Sequence, residues 1–455
     1  MLTQSLSIAR TTLIESLRQP VVLLLLLTCF LCQVISTWNT GYSLGYSTTE
    51  SAEVTADNKL LFDIGLSTVF VIGALMAGFV ATNAISREIE NKTILTVISK
   101  PIARVSVVLG KFVGISGALA IASTIMVVSL LMAVRHGVLS TAADEVDAPV
   151  LVFSGLALLV SLGLAAWANY FYGWNFPQVA TLLLLPCAIA AYVGVLIVGK
   201  EWKLQDPHAD FKPQVVTASL CLLLAVFVLA SVAVAASTRL GQVMTIVVCV
   251  GVFVAALLSN HFVGRHVFQN QPFGQIAAAT LVRQDQTFEG DQGDLRVRLR
   301  SPLPRPIAPG APVYFSPSPN GFPPMSLGRY GSVEGLDVND VNEMLGPRAL
   351  GPAIVAMSAR DQELVLRNIG TNPVGLVRPP APRDYLFLEP TKVRVLPLLL
   401  WGVIPNLQFF WLLDAVSQNH PVPVAYLLAA VGYAISQVTV FLSLAVVLFQ
   451  RRDVG

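Results

Sequence analysis

The sequence predicts an all-α polytopic membrane protein, about eight transmembrane helices plus a re-entrant or interfacial helical pair, with a mostly β extracytoplasmic insert domain. Three observations lead there. Hydrophobic residues make up 54 % and charged residues 12 % of the 455 positions, whereas soluble domains carry about 25 % charged residues. Apolar runs recur that are long enough, at about 20 residues, to cross a bilayer core of roughly 30 Å as helices. Between about 264 and 394 the chemistry changes: residues 281–394 hold 13 of the 29 Lys and Arg and 12 of the 27 Asp and Glu.

Residues 2–18, LTQSLSIARTTLIESLR, place Leu6, Leu13 and Leu17 on one helical face. That period predicts an amphipathic helix on the membrane surface over 1–19. Pro20 opens a first span at 20–38, closed by Trp38. Further spans are expected at 64–85, 105–134, 149–169, 179–198, 214–236, 243–260 and 424–449, seven of the eight lying within 20–263. Residues 395–416, VLPLLLWGVIPNLQFFWLLDAV, are interrupted by Pro405 and the polar NLQ, and Asp414 lies near the end. A broken run of this kind reads as a re-entrant or interfacial pair within 395–455, with a ninth span as the alternative.

The region 264–394 holds nine prolines between Pro302 and Pro324, too many for helix or central strand there. Its pieces LRVRLR (295–300), PVYF (312–315), ELVLR (363–367), YLFL (385–388) and KVRVL (392–396) read as strands. Short-loop charges set the orientation. Arg10, Arg18, Arg87, Lys92, Lys100, Arg104, Arg239, Arg451 and Arg452 fall on one side if the spans alternate. Glu50, Glu53, Asp57, Asp144, Glu145 and Asp147 fall on the other. Positive charge prefers the cytoplasm, so both termini are expected inside a plasma (inner) membrane and the insert outside.

Several chemistries find no support. A net charge of +2 is too small to suggest nucleic acid as a partner. All five cysteines fall in apolar runs, including the Cys29–Cys32 pair, so no disulfide framework is implied. GVLIVGKE (194–201) approaches the phosphate-loop pattern but places Glu201 where a Mg²⁺-binding hydroxyl belongs. The five histidines show no metal spacing, and no nucleophile elbow or HExxH is present, so catalytic and metal residues are none. No span carries Asp, Glu, Lys or Arg deep within it, which counts against an ion-driven pump.

One stretch has more polar chemistry than a connector needs: SREIENKTILTVISKPIARVSVVLGKFVG, residues 86–114. Ser86, Arg87, Glu88, Glu90, Lys92, Thr93, Thr96, Ser99 and Lys100 crowd between two apolar runs. A short helix over 87–100 would hold Glu88 and Glu90 in its first turn and Lys100 at its end, as the helix dipole favours, and Pro101 would stop it. Arg104 and Lys111, seven residues apart, share a face of the third span and are expected to reach outward to phosphate or a partner. A solvated loop that only fixes topology is the plain alternative.

The stretch resembles the motif of type-2 permeases of ATP-binding-cassette exporters at Glu88, Glu90, Thr93, Pro101, Arg104, Gly110 and Lys111. LRQP after the first helix, STRLG (237–241), VIPNLQFF and the terminal FQRRDVG are similar to other parts of that family, in the same order. The resemblance covers roughly 1–134, 214–262 and 395–455. It implies a cytoplasmic elbow helix and a coupling loop at 86–104 docking on a separate ATP-binding subunit. The docking residues would be Arg87, Glu88, Glu90, Thr93, Lys100, Pro101, Arg104 and Lys111. It also implies a second permease half (homo- or heterodimer) and no cofactor bound directly, ATP and Mg²⁺ residing on the partner. The spans at 149–198 and the insert depart from the family's common six-span plan. An alternative reading is a membrane-anchored extracytoplasmic binding or assembly protein working through 264–394.

Overall fold

The computed structural model describes residues 2–39, 50–91, 103–139, 146–208, 210–282, 288, 294–304, 306–320, 353–369, 379–412 and 422–451. They form two compact units, one of Met1–Ala255 with Leu407–Gly455 and one of Ala256–Asn406.

The helical unit contains α1 (Leu2–Leu17), α2 (Pro20–Asn39), α3 (Glu50–Glu90), α4 (Arg104–His136), α5 (Ala148–Tyr172), α6 (Phe176–Ile197), α7 (Pro213–Ser237), α8 (Gln242–Ser259, leaving the unit at its end) and, late in the chain, α10 (Val424–Gln450). Among the described residues eight helices are long and apolar enough to cross a membrane, at the eight places the apolar runs predicted. Their bounds differ most in α3. Its apolar window runs from Leu60 to Glu90, past the expected end at 85, because Ile85 and Ile89 keep the buried face in phase and nothing before Asn91 breaks the helix.

Packing follows from small residues. Gly110 and Gly114 on α4, four apart, let the backbone of α1 lie directly on it. A Cβ at Gly114 would stand 2.5 Å from the Ala9 carbonyl oxygen, and one at Gly110 would stand 2.7 Å from that of Ser5. No side chain fits there. α5 and α6 form a hairpin that buries Ala157, Ala165 and Ala168 on one helix and Ala180, Ala188 and Ala191 on the other. Its turn is set by Gly173 at φ 65° and by Asn175, whose side chain accepts from the Gln178 amide. Trp167, Tyr170, Phe171, Tyr172 and Trp174 stand exposed around this turn, the aromatic signature of a membrane interface. α7 is the central helix, buried along most of its length against α3 and α10.

The second unit is built on antiparallel strands: β1 (Phe268–Gln269), β2 (Gly274–Leu281), β3 (Asp294–Leu299), β4 (Tyr314–Ser316), β5 (Ala353–Arg360), β6 (Glu363–Ile369), β7 (Tyr385–Phe387) and β8 (Lys392–Val393). β1 pairs with β8, and the others form one sheet in the order β4-β7-β2-β3-β6-β5. Residues 310–313, just before β4, pair with β5: the Val313 amide donates to Ile354 O (2.8 Å) and the Ala356 amide to Ala311 O (3.0 Å). One segment thus serves both edges and closes the sheet, which removes the exposed edges that invite aggregation. Ile276, Leu295, Val297, Leu299, Phe315, Leu364, Leu366 and Leu386 fill the interior. All five strand-like pieces read from the sequence contain strand, although Val395 already begins a helix.

The 395–416 run is broken as its composition suggests. α9 (Val395–Val403) has nine residues, Ile404 is extended, and a 3-10 turn follows at Leu407–Phe410. Among the described residues of that run no helix is long enough to span a membrane, and residues 413–421 lie outside them.

Candidate functional site

Alternating spans should collect the basic loops at one end, and the hydrogen bonds do so. Arg18 Nε donates to Gln178 Oε1 (2.8 Å), joining the end of α1 to the start of α6. Asn83 Nδ2 donates to Gln19 Oε1 (2.7 Å). Ser86 Oγ reaches Leu240 O (2.8 Å) and Ser237 O (3.1 Å), so it holds the STRLG turn between α7 and α8. Arg104 Nη1 donates to Gln450 O (2.7 Å), covering the last carbonyls of α10. A cation on a helix C-terminus suits both the open carbonyls and the helix dipole.

The expected docking residues divide within this end. Lys111 is 5 % exposed. It forms an ion pair with Glu88 at 2.6 Å and donates to Ala84 O at 2.5 Å. A buried ammonium needs such partners, since leaving it unpaired in an apolar bundle is costly. Two expectations are therefore corrected. Glu88 and Glu90 stand in the last turn of α3, not in the first turn of a new helix, because α3 continues unbroken to Glu90. Lys111 turns inward rather than outward, and Arg104 is spent on α10. Arg87 and Glu90 are exposed at the end of α3, Glu90 beside Gly241. Thr93, Lys100 and Pro101 lie outside the described residues.

The opposite end holds a cluster that sequence reasoning missed. Arg135, expected just beyond the third span, belongs to the last turn of α4, with a side chain 5 % exposed. Its Nε lies 3.4 Å from Asp147 Oδ2 and 3.0 Å from Asp210 Oδ2. Its two terminal nitrogens donate to Val195 O and Val198 O at the end of α6. Asp147, fully buried, also accepts from the Val150 amide and so caps α5. One guanidinium thus ties α4 to both helices of the hairpin and to the 198–212 loop. The available signal was a basic residue ending an apolar run, with acids before α5 and α7.

No group of three metal-ligating side chains occurs among the described residues. The five cysteines are free. GVLIVGKE is the end of α6 followed by a turn, with Lys203 paired to Glu201 in solvent.

Among the described residues, eight helices long and apolar enough to cross a bilayer support a multi-pass integral membrane protein. Its class comes from comparison. A family model described as "ABC-2 family transporter protein" matches residues 6–168, spanning α1 to most of α5. Over these residues the chain is similar to that transporter permease family, whose members are the membrane components of transporters. No curated protein and no solved structure matches the chain.

Proposed function

We propose that the chain is the membrane-spanning subunit of an ATP-binding-cassette exporter, driven by a separate ATPase subunit that docks on the end of α3 and the 87–104 segment. Both termini would lie in the cytoplasm, in a plasma (inner) membrane, with 264–394 outside. A second permease half would complete the path, and ATP and Mg²⁺ would bind to the ATPase partner.

One observation carries the reading. At the basic end, Ser86, Glu88, Arg104 and Lys111 are each engaged within the chain, whereas Arg87 and Glu90 between and beside them face outward. The inner set makes a stiff base. The outer pair offers one charge of each sign directly before the 92–102 segment, whose residues include Thr93, Lys100 and Pro101 of the resemblance motif. Such a surface can accept a folded partner without the bundle having to reorganise.

Purification of the tagged full chain in mild detergent tests this. ATP hydrolysis should co-purify, and its loss on mutating the partner's nucleotide site would identify the source. A chain that carries no hydrolysing partner from its native membrane would sink the proposal. For the sidedness, Ser332→Cys and Gly455→Cys in a background free of native cysteines should label differently with an impermeant maleimide. Ser332→Cys should react in intact cells and Gly455→Cys only after lysis.

A further inference from the structure

The β unit carries a charged face that no contact described so far uses. Of the 13 Lys and Arg in residues 281–394, 12 are Arg. On β3 the period of two buries Leu295, Val297 and Leu299 and turns Arg296 and Arg298 outward, and exposed Arg300 follows at the same interval. The ladder extends this face across the sheet. Arg298 lies opposite Glu363 on β6, which lies opposite Arg360 on β5. Arg360 is exposed as well.

The neighbouring side chains leave these guanidinium groups uncovered. On β2, Ala278 stands opposite Arg298 and Thr280 opposite Arg296, and both are short and exposed. On β6, Val365 stands opposite Arg296. Among the described residues, the side chains of Arg296, Arg298, Arg300 and Arg360 form no ion pair or hydrogen bond. Asp294 is held by Arg367, which leaves Glu363 and, in the β5–β6 turn, Asp361 as the described acids beside the four cations. A face with an excess of one sign raises the local concentration of the opposite charge.

Spacing and side-chain type indicate what fits. Alternate residues of a strand are about 6.8 Å apart, and Arg360, two strands from Arg298, is offset by about 10 Å. An extended peptide repeats its own alternate side chains at the same ~6.8 Å. Carboxylates at every second position of such a peptide therefore meet Arg296, Arg298 and Arg300 in step. Arginine grips a carboxylate through a planar fork of two N–H donors, which lysine lacks. The closed sheet offers no free edge for strand pairing, so recognition falls to the side chains. No aromatic ring stands at these outward positions of β2, β3, β5 and β6 to stack a base, as a face for single-stranded nucleic acid requires.

We propose that this face docks an extended acidic segment of a partner protein. Its alternate carboxylates are held by Arg296, Arg298 and Arg300, with Arg360 alongside.

The test uses the full chain in nanodiscs of zwitterionic lipid, which expose both sides of the bilayer, and two fluorescein-labelled decapeptides read by anisotropy. In one, Glu and Thr alternate; the other has the same composition and charge with all Glu before all Thr. The alternating peptide should bind about fivefold more tightly, the gain from one further exposed ion pair made in register. Arg296→Gln with Arg298→Gln should weaken its binding about tenfold, as two exposed pairs are lost. Arg265→Gln with Arg394→Gln removes two exposed arginines beside β1 and β8 and should leave binding unchanged. No binding, equal binding of the two peptides, or equal loss in both double variants would overturn the proposal. Tighter binding of a heparin oligosaccharide of equal charge would overturn it in favour of an anionic glycan. Binding that appears only after Glu334, Asp337, Asp340 and Glu343 are changed to Gln would overturn it in favour of the chain's own acidic stretch.

Discussion

The two ends of α4 handle charge differently. At the Arg135 end one guanidinium is shared by two carboxylates and two carbonyls, and Asp147 is fully buried. At the Arg104 end two cations each hold one element, α3 through Lys111 and α10 through Arg104, and exposed Arg87 and Glu90 remain beside them. The first arrangement is closed on itself and serves cohesion. The second pairs its inner charges within the chain and leaves Arg87 and Glu90 exposed beside them, which is what the proposed docking requires. The two buried clusters differ in how many elements one cation holds, while each end also carries exposed charges, Arg87 and Glu90 at one and Glu201 and Lys203 at the other.

The largest expected effect follows from removing the shared cation. Arg135→Leu strands Asp147 without compensation, and breaking a buried ion pair from one side costs about 3–5 kcal/mol. It should produce the deepest fall in melting temperature in mild detergent, and the α5–α6 hairpin should become the first region cut by protease. A melt indistinguishable from the parent would remove the clamp role from Arg135. Gly114→Ala comes next. Its Cβ would meet the backbone of α1, which cannot give way as a flexible side chain can, so about 1–3 kcal/mol of overpacking is expected. Proteolysis at α1 should rise while the rest of the bundle stays protected.

Lys111→Met sharpens the comparison, because its partner Glu88 keeps about a quarter of its side-chain exposure whereas Asp147 has none. The loss should be smaller, about 1–3 kcal/mol, and Glu88→Gln in the same chain should restore part of it. Additive losses in that double mutant would mean that the two residues do not act as a pair. In the β unit, Arg367 and Asp294 form a bidentate cross-strand pair at 2.6 and 2.8 Å, and the carboxylate holds the guanidinium still more firmly protonated. The pair is partly exposed, so Asp294→Ala should cost about 1 kcal/mol or less. Circular dichroism of residues 264–394 expressed alone should show a β-dominated spectrum and a cooperative melt, as a closed sheet with its own core requires.

The helical part was legible because a bilayer demands runs of fixed length, and those runs stand out against the polar loops between them. Strands β3 and β6 were legible because Val, Leu and Arg alternate with period two. β2, GQIAAATL, and β5, AIVAMSAR, escaped notice because alanine and glycine carry no strand preference. They are strands because their neighbours pair with them. The charged ends were half legible. Spacing placed Arg104 and Lys111 on one face of α4, but only the packing of α3 and α10 against that face shows both turned into the chain. Arg135 escaped because its partners are 12 and 75 positions away in sequence, and no local period links residues so far apart.

The smallest expected effect on stability carries the most information on function. Arg87→Glu with Glu90→Lys exchanges the two exposed charges at the proposed docking end without changing the net charge. Glu201→Lys with Lys203→Glu makes the same exchange in an exposed pair at the opposite end. Both variants should insert and melt as the parent does, since solvent-exposed charges contribute little to folding. At a partner interface, like charges brought together are costly. The decisive measurement is ATP hydrolysis co-purifying with each variant from the native membrane. The account predicts its loss from the Arg87/Glu90 exchange and its retention by the Glu201/Lys203 exchange. Equal retention by both would contradict docking at the end of α3 and leave 86–104 a connecting loop.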